Sequence, residues 1–408
     1  MIWARKQSSP LVFLFITVFV DMVGYGILIP LLPFYAREYS STAVLVGVLG
    51  SLYAAMQFFG GPVLGGLSDR VGRRPVLLFC LFGASIAYLL LGLADTLSVL
   101  ILAVLLAGGA GATLATAQAY IADSTSPEDR AKGLGLIGAA FGLGLITGPA
   151  AGGLLSLHTL STPAFAASAV AFSNVLFGFF VLPESLPHTR RTKTPLIRLN
   201  PVSQLRGVLS LDKIRPLLLV VFLLNLSFAG LLTNFPLFSN VRFGWDATSN
   251  AFFFAFVGVC AVLTQGLLIG YLQPRLGEWR LVLGGLFLTA ANLGLIALVP
   301  YGLLLYPVVG ILAVGVGLTI PSVTALISRN VPEDSQGKVM GGIQAILSLT
   351  LILGPLIAGT SFDYIGLPAP YWIGSLLAAA ALLVAARTLL PGHKATEYSA
   401  VYNEEPGA

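Results

Sequence analysis

Twelve apolar runs, at roughly 11–33, 44–66, 75–94, 97–122, 133–157, 163–182, 216–238, 249–272, 281–299, 302–328, 338–362 and 369–390, alternate with short polar stretches along the chain. A helix rising 1.5 Å per residue needs about 20 such residues to cross the hydrocarbon of a bilayer. None of the runs shows the in–out alternation of a barrel strand, and only helices and closed barrels satisfy their backbone in lipid. The pattern therefore predicts an all-α membrane protein with twelve transmembrane helices. Arg5 and Lys6 ahead of the first run imitate a signal peptide, but no small-residue cleavage site follows, so this run is read as an uncleaved first span.

Composition agrees with the pattern. Of 408 residues, 56% are hydrophobic and only 10% are Asp, Glu, Lys or Arg, against about 25% charged in soluble domains. Of the 22 Lys and Arg, all but Arg37 and Arg242 fall on one side of the predicted spans. That side and both termini are predicted to be cytoplasmic, in an inner or plasma membrane. The same placement explains the net charge of +5 without a basic face for nucleic acid. Cys80 and Cys260 lie inside apolar runs and read as small buried hydrophobes, not a disulfide.

The chain repeats itself. Gly65-Gly66-Leu67-Ser68-Asp69-Arg70-Val71-Gly72 is echoed by Gly270-Tyr271-Leu272-Gln273-Pro274-Arg275-Leu276-Gly277, Pro127-Glu128-Asp129 by Pro332-Glu333-Asp334, and Gly148-Pro149 by Gly354-Pro355, all at nearly one offset. Each half carries six spans, an even number, so both enter from the same side and form parallel repeats. That arrangement belongs to transporters with a site between the halves. The expected organisation is an N-terminal half over 1–183, a linker over 184–215, a C-terminal half over 216–391 and a tail over 392–408. Within the linker, Val202, Leu205 and Leu209 at helical spacing predict a short amphipathic helix. The C-terminal copy of the first repeat departs at Pro274 and Glu278 and reads as eroded.

Asp21 lies near the middle of the first span and is the only Asp, Glu, Lys or Arg well inside any span. A charge there costs about 2.5–3.5 kcal/mol or more and marks a functional candidate. It belongs to Asp21-x-x-Gly24-x-Gly26-x-x-x-Pro30-x-x-Pro33, where the glycines permit close helix contact and the prolines loosen the outer end. The fifth span carries the small-residue face Gly144-x-x-x-Gly148-Pro149-x-x-Gly152-Gly153. Enzymatic readings find no support: His158, His188 and His393 have no ligand-spaced partners, and no phosphate-cradling loop or cofactor motif exists.

The loop Gly65-x-Leu67-Ser68-Asp69-Arg70-x-Gly72-Arg73-Arg74-Pro75, with the span count and the repeat, resembles the major facilitator superfamily over the whole chain. The resemblance implies two parallel six-helix repeats working by alternating access. It also implies a cytoplasmic gate of Gly65, Asp69, Arg70, Gly72, Arg73 and Arg74. In that gate Asp69 faces the start of the eleventh span near Gly337 to Gly342, and Arg73 pairs with Asp123. The Gly144–Gly153 face resembles the antiporter signature of drug:proton exchangers, and with the Asp21 motif points to the tetracycline and multidrug efflux branch. Three departures stand out: Val104 where that branch carries a fourth-span Arg, Ala87 where tetracycline exporters carry a third-span acid, and no acid in the ninth span. They count against recognition of a metal–tetracycline cation.

The superfamily lines its cavity with spans one, four, seven and ten, which here offer Asp21 and Tyr25, then Thr113, Thr116 and Gln118, Asn225 and Phe228, and Thr319, Ser322 and Thr324. Spans two and eight add Tyr53, Gln57 and Gln265. One acid among polar and aromatic side chains suits a neutral or monocationic amphiphile; an anion would want Arg or Lys. The expected function is export of such compounds by proton antiport through Asp21, by a monomer in the lipid bilayer without a cofactor. Two alternatives stay open: a metabolite facilitator or importer in which Asp21 is structural or binds substrate, and a non-transporting sensor on the same fold.

Overall fold

Because lipid offers the backbone no partners, a chain this apolar must close its hydrogen bonds within each span. The computed structural model describes the backbone of residues 8–39, 42–125, 127–187, 189, 191, 201–332 and 336–390. It describes the side chains of all of these except 8–10, 127–132, 134, 145, 201–204, 232, 337 and 338. Arg5 and Lys6, the side chains of Glu128, Asp129 and Val202, the acids at 333–334, and the tail lie outside the described residues.

The N-terminal half consists of α1 (Ser8–Arg37), α2 (Ala43–Val71), α3 (Arg73–Gly92), α4 (Leu97–Gly109) continued by α5 (Thr113–Ser124), α6 (Pro127–Leu155) and α7 (Thr162–Val181). A short α8 (Pro201–Leu209) precedes the C-terminal half. That half has α9 (Arg215–Ala229) continued by α10 (Leu231–Phe243), α11 (Ala247–Leu263) continued through a π-helical turn (Thr264–Leu268) into α12 (Ile269–Leu276), α13 (Glu278–Leu298), α14 (Leu305–Arg329), α15 (Gln336–Tyr364) and α16 (Ala369–Leu389). Among the described residues 11 segments are long and apolar enough to cross a membrane, and α9–α10, bent by 40°, brings the number to 12. The seventh span is thus broken at Gly230 where the apolar run predicted one helix. The first span, by contrast, stays helical through Pro30 and Pro33 to Arg37.

Two matched turns confirm the repeat. Gly72 alone joins α2 to α3 at φ +122, and Gly277 alone joins α12 to α13 at φ +74. Both dihedrals lie in the region that favours glycine. The faces carrying these turns and the Lys/Arg-rich loops will be called the basic face, and the opposite one the far face.

Glycine decides how closely the helices approach. A Cβ on Gly148 of α6 would lie 2.7 Å from the Val23 carbonyl oxygen and 2.9 Å from Gly26 Cα. Across the halves, a Cβ on Gly47 would stand 2.3 Å from Pro355 O, on Gly359 2.5 Å from Ala43 O, and on Gly153 2.0 Å from Ala251 Cβ. These cross-half contacts, along α2–α15 and α6–α11, run from the far face to about mid-span. Toward the basic face, Gly61 and Gly65 of α2, Gly135 and Gly138 of α6, Gly266 of the π turn and Gly270 of α12 would place a Cβ in open space. The described glycine contacts between the halves thus lie on the far side.

The linker helix forms as predicted, but it anchors differently. Val208 is fully buried, and a Cβ on Gly342 of α15 would meet it at 2.4 Å, while Leu209 is exposed and Leu205 packs at the edge of the cluster. The helix lies on α15, a protein surface, so the buried stripe is set by that neighbour.

Gly148→Val should overpack the α1–α6 crossing and cost about 1–3 kcal/mol, seen as a lower Tm in detergent. Gly135→Ala, with nothing in reach, should leave Tm unchanged or raised; equal Tm values for all three proteins would refute this packing.

Candidate functional site

The fourth span leaves helical geometry at Ala110–Ala112, between α4 and α5. The run Gly108-Gly109-Ala110-Gly111-Ala112 contributes little side-chain packing to hold a helix, and Gly108 sits so close to α2 that a Cβ would be 2.3 Å from Tyr53 O. Unwinding frees backbone groups, and Gln57 Nε2 donates to Gly111 O at 3.4 Å. Thr113, the first residue of α5, is fully buried, and its Oγ1 donates to Asp21 Oδ1 at 3.4 Å. The carboxyl group at the middle of α1 therefore meets a hydroxyl at the positive end of a half-helix. Val104, the position where the resemblance led to an arginine, is fully buried in apolar core.

One turn along α1, the Tyr25 ring lies 5.5 Å from that of Tyr53. Tyr25, Tyr53 and Gln57 line a small cavity with Thr233, Leu351 and Pro355 of the other half. The cavity thus brings Tyr25 and Gln57 together, and Asp21, one turn away on α1, is bonded to Thr113 and is not part of its lining. Gln118 is exposed on α5 and Gln265 is exposed on the π turn, a distortion often found at functional sites. Asn225 instead turns onto its own helix, Nδ2 donating to Val221 O at 2.8 Å, and Phe228 packs against the C-terminal core. The hydroxyls of Thr116, Thr319, Ser322 and Thr324 each donate to the carbonyl four residues earlier, at 2.7–2.9 Å. Their hydrogen is spent within the helix.

The two glycine motifs form one crossing. Gly144 faces Met22, Gly148 faces Gly26, Gly152 faces Ile27, and Pro149 Cδ would lie 2.8 Å from a Cβ on Gly26. Gly24 points the other way, onto the Tyr88 ring of α3, and Gly153 points across to α11. Pro30 and Pro33 lie inside α1.

At the basic face Arg73 organises the gate loop. Its Nη1 contacts Asp69 Oδ1 at 2.6 Å and Ser68 Oγ at 2.7 Å, and its Nε donates to Asp123 Oδ2 at 2.8 Å. Arg73 is buried. The described partner of Asp69 is Arg73 in its own half. Arg70 ends α2, and Arg74 Nη2 donates to Phe179 O at 2.5 Å. Gly65 is open, and Gly72 is wedged against Glu184, whose Oε2 would be 2.3 Å from a Cβ.

Glu184 went unnoticed in the sequence. Its Oε1 accepts from Arg73 N at 2.8 Å and its Oε2 from Arg74 N at 3.3 Å, capping α3 from the segment after the sixth span. Only the position of an acid just after an apolar run could have hinted at it. The eroded appearance of the C-terminal copy is also corrected. Glu278 is buried at the start of α13, 2.9 Å from Arg329 Nη2, and accepts from Gln273 Nε2 at 3.1 Å. Ser68–Arg73–Asp123 and Gln273–Glu278–Arg329 occupy matching places with the charges exchanged. Reading residue type alone hid a bracket that keeps its geometry and inverts its sign.

Among the described residues no cluster of His, Cys, Asp or Glu could hold a metal ion. Apolar spans, an intramembrane carboxyl group beside an unwound helix, and two repeats joined on the far side are the features of a multi-pass membrane transporter. The Major Facilitator Superfamily profile matches residues 14–349 and 304–404, and the chain belongs to that family. It is 39% identical over 355 residues to the tetracycline resistance protein, class C, of Escherichia coli, covering 86% of this chain and 89% of the relative. It is 30% identical to multidrug resistance protein 2 of Bacillus subtilis, over 88% of this chain and 90% of the relative. Among solved structures it is similar to the human organic anion transporter MFSD10, with a TM-score of 0.70, 25% identity, and coverage of 93% and 99%.

Replacing Arg73 by Gln strands the partly buried carboxylates of Asp69 and Asp123, and a loss of about 1–3 kcal/mol is expected. Glu278→Gln should lose less, because Arg329 remains largely solvated. Thermal unfolding in detergent ranks the two; an Arg73→Gln protein as stable as wild type would remove the bracket's structural role.

Proposed function

We propose that this transporter exports small neutral or monocationic amphiphiles in exchange for protons, by alternating access about Asp21. The observation that carries the reading is Asp21 itself, a carboxyl group in mid-membrane hydrogen-bonded to Thr113 at the start of a half-helix. A group that can be neutral or charged, beside a fixed dipole and between two halves, can take a proton from one side and surrender it on the other. The likeness to tetracycline and multidrug resistance proteins supports export of drug-like compounds. Val104 and Ala87, both buried in apolar core, leave nothing there to meet a charged metal complex, so an uncharged or singly charged substrate fits better.

In this reading the basic face is cytoplasmic, the membrane is the inner or plasma membrane, and the conformation is inward-facing. The working unit is a monomer made of a half over 1–183, a linker over 184–215, a half over 216–391 and a tail. The polar side chains Gln57, Gln118 and Gln265, with Tyr25, border the route, while Asn225 and Phe228 are packed within the C-terminal half. Closure at the basic face brings the open glycines Gly61, Gly65, Gly135 and Gly138 against the other half and carries Asp69 to the start of α15. Substrate entering from the cytoplasmic side displaces the proton into the cytoplasm, the halves rock to release the substrate outside, and a proton from outside then reloads Asp21.

Proteoliposomes holding a pH-sensitive dye under an imposed proton gradient test the coupling. Lipophilic cations and neutral drugs should trigger proton movement with wild type and none with Asp21→Asn. Drug flux without proton movement, unchanged in Asp21→Asn, would instead leave a facilitator with a structural aspartate.

A further inference from the structure

On the reading of alternating access just given, we infer that Asp363 is the outer latch of the transporter, a carboxylate of one half that caps a helix of the other only while the far face is closed. Asp363 stands in the last turn of α15. Its Oδ1 accepts from Ala43 N at 3.0 Å and its Oδ2 from Val44 N at 2.8 Å. These are the first two amides of α2, groups that have no partner inside their own helix. A negative charge at that end is favoured by the helix dipole as well as by the two hydrogen bonds.

The repeat supplies an internal comparison. The helix of the C-terminal half that matches α2 is α11, and it is capped from its own chain turn: Asp246 Oδ1 accepts from Ser249 N at 2.8 Å. That cap travels with α11 whichever way the halves rock. The Asp363 cap joins residues 320 positions apart across the interface that must open. It lies above the tightest backbone approach of the halves, where Gly47 and Gly359 meet Pro355 O and Ala43 O, and Ser51 Oγ donates to Ile352 O at 2.6 Å. Opening the far face pulls Ala43 and Val44 away from the carboxylate, so the cap stabilises the inward-facing state alone. Arg37 Nη1 donating to Asn240 Oδ1 and Thr248 Oγ1 donating to Gly153 O at 3.1 Å also join the halves on this rim, neither of them placing a carboxylate on helix-start amides.

The experiment uses the full chain in proteoliposomes, with Cys80 and Cys260 replaced by Ala and spin labels on His158→Cys and Tyr301→Cys, exposed far-face positions in opposite halves. Pulsed electron resonance reads the ratio of far-face-open to far-face-closed populations. Asp363→Ala should raise that ratio about 5-fold, the equivalent of a lost helix cap of about 1 kcal/mol. Asp363→Asn, which keeps an acceptor oxygen, should raise it less, and Asp246→Ala should lower Tm without moving it. A ratio in Asp363→Ala equal to wild type, or an equal shift in Asp246→Ala, would overturn the latch. Tetraphenylphosphonium under a proton gradient provides the separate check. If it never alters the wild-type distances the exporter reading fails, whereas a normal response with an unmoved Asp363→Ala ratio sinks the latch alone.

Discussion

In lipid, a backbone amide or carbonyl without a partner costs several kcal/mol, so every departure from the helix must be repaired by protein. The chain departs within its spans at Ala110–Ala112, at Gly230 and at Thr264–Leu268. At the first break Gln57 donates to Gly111 O, while at the other two Gly230 O and Cys260 O keep backbone donors, Asn234 N and Thr264 N, beside the Thr233 and Thr264 hydroxyls. These breaks lie beside Asp21, at the cavity between the halves and next to Gln265, so the places where helix is given up are those where polar groups are presented.

The same absence of water governs how helices join. Apolar faces gain nothing over lipid by touching one another, so association rests on close packing of small residues. Within the N-terminal half the Gly144–Gly148–Gly152 face locks α6 onto α1. Between the halves the glycine contacts are confined to the far portion, and matching glycines near the basic face are uncovered.

Electrostatics is organised by the repeat more than by individual residues. Two single-glycine turns each present a bracket in which the first residue of the following helix reaches the end of another span. One uses Arg73 toward Asp123, the other Glu278 toward Arg329. Ion pairs keep their geometry when both signs are exchanged, so duplicated halves can diverge in sequence and retain the joint. Glu184 adds a carboxylate on the α3 amides, which places an anion at a helix start beside the buried guanidinium.

The twelve spans, the sidedness of the cations, the internal repeat and the exceptional position of Asp21 were legible in the chain, because each depends on local hydrophobicity, charge or spacing. The Arg73–Asp123 pair followed from motif resemblance and was met in the structure; the Gly144–Gly153 small-residue face was legible, but not that α1 is its partner. Glu184, Asp363 and the inverted Glu278 bracket were not legible, since each works through a residue distant in sequence: 111 positions for Arg73 to Glu184 and 320 for Ala43 to Asp363. The break at Gly230 sits inside a uniformly apolar run, where periodicity carries no signal. Sequence alone determined that this is a twelve-span transporter, because transfer to lipid is decided residue by residue; which polar groups meet, and which face is closed, only the tertiary packing decided.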